Sequence, residues 1–298
     1  MKKVIVFTDA DLDGSMSYLL LKWLTTNKLP YKVTTVTKFK DDFTAWSKKN
    51  KLEEFDKIFI LDLDISQHSL EIVDHPNVFV IDHHLSHVEN KSKYKHATVH
   101  VIEYSSCAKL IYKMYKQKLD NIMSDDMKKL LILVDDYDSW SHKYPQSKQL
   151  NSIFWNYQGD RLKAFINDFQ TGFANFNTDQ KKIITFYENK FNKIVRNLSF
   201  HQAEVNIQKK KVKCICTFAD KMISDIGNHL LEIGADIGFV VNLESNRVSV
   251  RKKKECHVDL SKLSKWLIDG GGHECAAGGI CTDKFLQFSK VFNPVTRV

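Results

Sequence analysis

Aspartates recur at every second position in Asp9-Ala10-Asp11-Leu12-Asp13-Gly14, and more acids and imidazoles follow at Asp62 and Asp64, in Asp82-His83-His84 and in Asp135-Asp136-Tyr137-Asp138. In an extended chain alternate residues share a side, so the first cluster would turn its carboxylates the same way. Ionised carboxylates that converge repel one another and raise one another's pKa unless cations neutralise them. A donor set of carboxylates and imidazoles without cysteine favours manganese or magnesium over a structural zinc. Two divalent ions about 3.5–4 Å apart would use that many ligands, activate a water against phosphorus and offset charge on phosphoryl oxygens. Taken singly, each cluster also reads as a helix cap, Asp13 before Gly14-Ser15 in particular. Capping does not explain why such clusters stand at successive element ends.

The elements that must position these groups follow from apolar patterning. Val4–Phe7, Tyr31–Val36, Lys57–Leu61 and Val78–Ile81 are short runs rich in branched and aromatic residues, read as buried strands. Ser15–Thr26 repeats apolar residues at Met16, Leu19, Leu20 and Trp23, a helical spacing, and helical patterns recur near 43–50 and 66–74. This alternation predicts an α/β fold, a parallel sheet with helices on both faces, whose strands end at the acidic clusters. Helices are expected to dominate from Ser105 to about Phe169, including Ala108–Tyr115 and Met127–Val134, with Ser105-Ser106 as a cap signal. A helix over Asp179–Asn197, opened by Thr178, reads as a connector. A second rhythm follows: strand Val212–Phe218, helix Ile223–Leu231, strands Ile237–Asn242 and Val248–Arg251 joined by a hairpin at Glu244-Ser245-Asn246, helix Leu260–Leu267 and a closing strand Ala276–Cys281. The domain reading is therefore 1–177, a linker helix at 178–200, and a smaller α/β domain at 201–298.

The acidic clusters resemble the motifs of the DHH phosphoesterase family, named for a triplet matched here by Asp82-His83-His84. Asp9-Ala10-Asp11-Leu12-Asp13-Gly14 is similar to its first motif in the RecJ-like form, which opens with Asp where many members have His. Asp62 matches the second motif and Asp138 the fourth. Tyr137-Asp138-Ser139-Trp140 followed by Leu150-Asn151 is similar to the nanoRNase B, or oligoribonuclease, branch. In the last hundred residues, Gly270-Gly271-Gly272-His273 with Ala276-Ala277-Gly278-Gly279, preceded by Ser249-Val250-Arg251, resembles the signature of the DHHA1 substrate-binding domain.

The resemblance implies a ligand set: Asp9, Asp11 and Asp62 on one metal, and Asp13, Asp62, His83 and Asp138 on the other, with Asp62 bridging. His84 would face the substrate phosphate and Asp82 would orient an imidazole. Arg251, Gly270, Gly271, Gly272 and His273 would hold phosphate, since glycines let backbone N–H groups approach closely. Two Mn2+ ions are the implied cofactors, with Mg2+ or Co2+ fitting the same donors. Asp64, Asp135 and Asp136 match no motif, and neither does His87, although His87 is near enough in sequence to line the site.

Composition agrees with this frame. With 43% hydrophobic and 27% charged residues the chain is an ordinary globular protein, which excludes collagen, coiled coil and disorder. No apolar run approaches the roughly 20 residues of a membrane-spanning helix, and Val4–Phe7 is too short for a signal peptide, so a cytoplasmic protein is expected. The net charge is +8, and residues 201–298 carry 15 Lys and Arg against 11 Asp and Glu, which suits a polyanionic ligand or a solvated face. The cysteines include no CxxC pair, and Cys214 and Cys216 would face one side of a strand as buried thiols. Phe154, Trp155 and Tyr157 fit apolar packing better than base stacking.

The expectation is a metal-dependent phosphodiesterase cutting short oligonucleotides exonucleolytically to nucleoside monophosphates. The alternatives are a phosphodiesterase for cyclic mono- or dinucleotides or for pAp, a non-catalytic nucleic-acid-binding protein, and a polyphosphate or pyrophosphate hydrolase. The resemblance lacks the further nucleic-acid-binding domain of larger RecJ enzymes, which argues against processive degradation of long DNA. The oligomeric state stays open, a homodimer included.

Overall fold

The computed structural model describes residues 3–25, 28–272 and 274–295, so Thr26 and His273 lie outside the described residues. The chain divides into two compact units, Met1–Thr185 and Phe186–Val298. The first contains β1 (Val4–Asp9), α1 (Leu12–Trp23), β2 (Tyr31–Thr34), α2 (Val36–Ser47), β3 (Lys57–Leu61), α3 (Leu70–Val73), β4 (Val78–Asp82), α4 (Leu85–Asn90), β5 (Thr98–Val101), α5 (Cys107–Met114), α6 (Lys116–Asp120), α7 (Asp125–Asp138), α8 (Pro145–Asn156) and α9 (Arg161–Phe169). Helix α10 (Thr178–Val195) begins in the first unit and ends in the second.

The five strands of the first unit pair in the order β2-β1-β3-β4-β5, all parallel. The chain runs from β1 out to β2 and returns to place β3 on the other flank of β1, so strand order reverses between β1 and β3. Loops at the carboxyl ends diverge at such a point and leave a crevice. Residue alternation feeds both faces of the sheet. Val6, Phe59 and Leu61 pack with α1, α5, α7, α8 and α9 through Met16, Leu20, Ile111, Leu130, Ile153 and Phe165. Ile5, Phe7, Ile58 and Ile60 pack with Phe39, Phe43 and Trp46 of α2. Phe7 lies 5.2 Å from both the Phe43 and Trp46 rings, fastening β1 to α2.

The second unit holds β6 (Phe200–Ile207), β7 (Lys210–Phe218), α11 (Ile223–Glu232), β8 (Ile237–Asn242), β9 (Arg247–Lys252), α12 (Leu260–Leu267), β10 (Gly271–Gly272), β11 (Ala276–Ile280), α13 (Asp283–Ser289) and β12 (Asn293–Pro294). They form a seven-stranded sheet, β10-β11-β9-β8-β7-β6-β12, antiparallel except for β7 with β8. Helix α11 makes the crossover between that parallel pair and buries Ile226 and Leu230 against Ile215 and Val240. Leu260, Leu267 and Phe285 of α12 and α13 cover the other face with Phe239 and Val250. Cys214 and Cys216 both belong to that second cluster, and burial pushes each thiol up to about 12.

The parallel sheet agrees with the sequence reading. However, β2 ends at Thr34 and α2 starts at Val36, inside the run read as strand, and stops at Ser47, so this helix begins earlier than the pattern near 43–50 suggested. Strands β5 and β6 escaped that reading. Edge strand β5 is only partly buried and carries His100, and β6 reads Phe-His-Gln-Ala-Glu-Val-Asn-Ile, so neither shows an apolar run. The chain also does not close on β11: α13 and the short β12, which pairs with β6, come after it. No helix among the described residues is long and apolar enough to cross a membrane.

One contact ties this fold to the acidic loop. A Cβ added at Gly14 would stand 2.6 Å from the carbonyl oxygen of Asp9, so α1 can start against the end of β1 only with a glycine there. Gly14→Ala is expected to cost about 2–3 kcal/mol of unfolding free energy, through overpacking against backbone. A urea midpoint equal to wild type would refute that contact.

Candidate metal centre

Each acidic residue of the first cluster is placed differently. Asp9 ends β1, and Asp11 caps α1 by accepting from the Gly14 N–H at 2.8 Å. Asp13 is in the first turn of α1, buried, and accepts from the Cys107 and Ala108 N–H groups at 2.7 and 3.0 Å. Those donors are otherwise orphaned at the start of α5, whose dipole also favours the carboxylate. Ser106, the cap of α5, accepts from the Lys109 N–H. The Ser105-Ser106 cap signal thus marks a helix that anchors Asp13, a role the sequence did not reveal because the partners are more than 90 positions apart.

Asp62 follows β3 with φ +58, a left-handed conformation that Asp tolerates better than most residues. His83 and His84 follow β4, and Asp138 ends α7. The His83 Nε2 atom lies 3.4 Å from Asp62 Oδ1, 3.6 Å from Asp138 Oδ2 and 3.9 Å from Asp13 Oδ2. Its Nδ1 is 3.2 Å from the Tyr104 carbonyl, which can only accept, so the Nδ1 proton is committed there. Nε2 therefore faces three carboxyl groups, and either a proton, on the ring or on a carboxyl, or a cation must stand between them. Asp62 Oδ1 and Asp138 Oδ2 are buried and have no hydrogen-bond donor among the described residues.

Two sets of side chains have ligand atoms within 4.8 Å of one another: Asp62 with His83 and His84, and Asp13 with His83 and Asp138. Asp9 and Asp11 are in neither set, and His84, expected to face substrate, is in one. Among the described residues, these are the groups that could hold a metal ion.

The electrostatics follow from this crowding. Burial, then Asp13 and Asp11, hold Asp62 well above the usual carboxylate range, and burial, then Asp13, does the same to Asp138. Burial and then Asp11 push Asp9 up to about 8, and burial lifts Asp13 to about 6 against the opposing His83. Burial alone would lower His83, but Asp62, Asp138 and Asp13 outweigh it and hold it at about 10.

A second network backs the first. Asp82 is fully buried, and its oxygens accept from His84 Nδ1 and His87 Nδ1, both at 2.7 Å. Burial opposes its charge, but the two imidazoles outweigh burial and hold Asp82 below the usual range. His84 is held at about 10, burial being outweighed by Asp82. His87 is itself fully buried and pairs through Nε2 with the Tyr94 hydroxyl at 2.9 Å. It supports the site from behind rather than lining it, which no local pattern signals.

The unmatched acids have structural partners. Asp64 accepts from Ser66 and Ser86, Asp135 from Ser105 and Ser106, and Asp136 from Lys143, Tyr144 and Ser147. Phe154 is in the core, the Tyr157 hydroxyl donates to Asp168, and Trp155 is 46% exposed.

In the second unit, Arg251 on β9 donates to Ser249 Oγ and the Val250 carbonyl through Nη1 (3.1 and 2.9 Å) and to Ser224 Oγ through Nη2 (3.1 Å). The glycine triplet divides by role. A Cβ at Gly270 would lie 2.1 Å from the Gly278 oxygen, and one at Gly272, with φ +144, 2.5 Å from the Ala276 oxygen, so close approach to β11 requires both. A Cβ at Gly271 would meet nothing within 4 Å.

Since Asp138 binds protons more tightly folded than unfolded, its charge destabilises the divalent-free fold increasingly as pH rises above about 4. Asp138→Asn is therefore expected to raise the melting temperature of divalent-free protein at pH 8 by roughly 2–4 °C, with the gain vanishing near pH 4. Thermal scans in EDTA check this; a loss of stability at pH 8 would contradict the repulsion.

Residues 3–134 match the DHH family, N-terminal domain. No curated protein matches the chain. Among solved structures, the pGpG-specific phosphodiesterase PggH from Vibrio cholerae is similar at TM-score 0.57 and 13% identity, over 97% of this chain and 96% of that one. An exopolyphosphatase-related protein from Bacteroides fragilis aligns at TM-score 0.55 and 16% identity, over 97% and 91%. The exonuclease RecJ bound to manganese aligns at TM-score 0.56 and 13% identity, over 97% and 88%. At these identities the likeness is one of fold, and it agrees with the parallel-sheet architecture. The family match is thus confined to residues 3–134, where the chain is similar to the N-terminal domain of the DHH family.

Proposed function

We propose that the protein is a divalent-metal-dependent phosphodiesterase that hydrolyses short linear oligonucleotides from an end to nucleoside monophosphates. The observation that carries this reading is the pair of buried, donor-less oxygens, Asp62 Oδ1 and Asp138 Oδ2, set around His83 Nε2. Oxygen and imidazole donors without thiols fit Mn2+ or Mg2+, and such ions relieve the carboxylate repulsion. Asp13, Asp62, His83 and Asp138 would hold one ion, and Asp9, Asp11 and Asp62 the other. When bound, the ions would polarise the phosphoryl group and lower the pKa of an attacking water.

The chain's own groups would do the rest. The Asp13 carboxylate is held by the α5 amides, so it cannot swing away when the charge around it changes. Asp82 fixes the His84 ring through Nδ1 and favours its charged form, which would suit a phosphoryl oxygen beside it. Arg251 and the open face at Gly271 would give the second unit, in the role of a DHHA1 domain, a phosphate contact; His273 would join them.

The names of two proteins sharing the fold, a pGpG-specific phosphodiesterase and an exonuclease, support a linear phosphodiester as substrate. A panel of pApA, cyclic di-AMP, pAp and polyphosphate with Mn2+ tests the reading. AMP should accumulate from pApA, and Asp62→Ala should slow it by a factor on the order of 1,000, the value of several kcal/mol of charge stabilisation. Turnover of the cyclic compound, pAp or polyphosphate alone would refute it.

Metal binding should also read out in stability. Protons and cations compete for the same raised carboxylates and for His83, so Mn2+ should raise the melting temperature more at pH 8 than at pH 5.5. An equal increment at both pH values, or none, would count against the assignment.

A further inference from the structure

A cavity of about 410 Å3 opens beside Ala10, the residue between Asp9 and Asp11, and is walled by β2 and by the turn joining α8 to α9. The acidic site's own donors do not account for it. Its floor is apolar and fixed. Phe154 is 1% exposed, and Tyr31 is held by its hydroxyl on Asp160 at 2.7 Å and by an edge-on contact with Tyr18 at 5.0 Å. Its rim carries Lys32, Val33 and Arg161 together with two carboxylates, Asp42 and Asp160, each of which accepts from a neighbouring hydroxyl, Thr34 and Tyr31 respectively. The Arg161 guanidinium stands 4.5 Å over the Trp155 ring, and its Nε is buried without an acceptor. Among the described residues, neither Lys32 nor Arg161 is ion-paired to a carboxylate.

Two cations not ion-paired to the cavity's hydroxyl-bound carboxylates, above the Tyr31 and Phe154 rings, suit a ligand with a flat apolar part and an attached phosphate. Arg and Lys together favour a multi-oxygen anion, and the cavity volume is within the range of small-ligand sites. The position at the carboxyl end of β1 puts such a ligand next to the acidic loop. Resting on the function proposed above, we infer that this cavity is a subsite for the nucleotide unit adjoining the scissile phosphate, with Arg161 and Lys32 holding its phosphate and Tyr31 and Phe154 flooring its base or sugar. Arg161 and Lys32 thereby set the preference for oligonucleotides over smaller phosphodiesters.

The test compares pApA with bis(p-nitrophenyl) phosphate, which has no adjoining nucleotide, both with Mn2+. Arg161→Ala should raise KM for pApA about tenfold with little change in kcat, so that its loss in kcat/KM on pApA exceeds the loss on the small diester by about tenfold. Val33→Trp, which fills the cavity and keeps both cations, should likewise lose more kcat/KM on pApA than on the small diester. Equal losses on the two substrates in both variants, or no loss in either, would overturn the subsite. If wild type cleaves neither substrate, the proposed function fails on its own account. The cavity is then read by calorimetry with AMP: binding weakened about tenfold by Arg161→Ala supports it, and absent or unaltered binding overturns it.

Discussion

The structure turns on one electrostatic conflict. Asp13 and Asp62 are buried and Asp138 half-buried around the same imidazole nitrogen, and two of their oxygens have no donor among the described residues. In water such groups would separate; in a packed interior they can only take up protons or a cation. Everything nearby acts to prevent their escape. The α5 amides hold Asp13, the Tyr104 carbonyl fixes His83, and a left-handed turn sets Asp62 at the end of β3. Strain and repulsion concentrated at one place, with hydrogen bonding satisfied around it, mark a site organised for a ligand rather than for stability.

The scaffold makes that concentration tolerable. The reversal of strand order between β1 and β3 opens a crevice at the ends of these two strands, where Asp9 and Asp62 stand. Beneath it the sheet is buried on both faces, with the aromatic cluster of Phe7, Phe39, Phe43 and Trp46 on one side and the leucine-rich helices on the other. Apolar burial of that extent offsets a few charged groups held against their preference.

A graded arrangement of histidines lies around Asp82. His84 is partly open, His83 is within the carboxylate cluster, and His87 is sealed in the interior against Tyr94. Asp82 accepts from two imidazoles at once, so its charge is satisfied before any ligand arrives and the rings on either side are fixed in orientation. The second unit uses glycine in an equally local way: Gly270 and Gly272 exist for the close pairing with β11, while Gly271 alone keeps its side open.

The alternation of apolar runs determined the parallel sheet, because strands buried on both faces must be hydrophobic along their length. The types and spacing of Asp9, Asp11, Asp13, Asp62, Asp82, His83, His84 and Asp138 pointed to a cation-binding chemistry, because acids gathered at successive strand ends repel one another unless protons or cations relieve them. Edge strands such as β5, and the amphipathic β6, were not legible, since a strand open on one side keeps polar residues and loses the signal. The motifs left Asp64, Asp135 and Asp136 unmatched without saying what they do; their serine and backbone partners are decided by packing. Likewise, only the folded chain brings the amides of residues 107 and 108 to Asp13, sets His87 behind Asp82, and opens a cavity between β2 and the α8–α9 turn. These contacts depend on the layering of helices over a twisted sheet, which local composition does not encode.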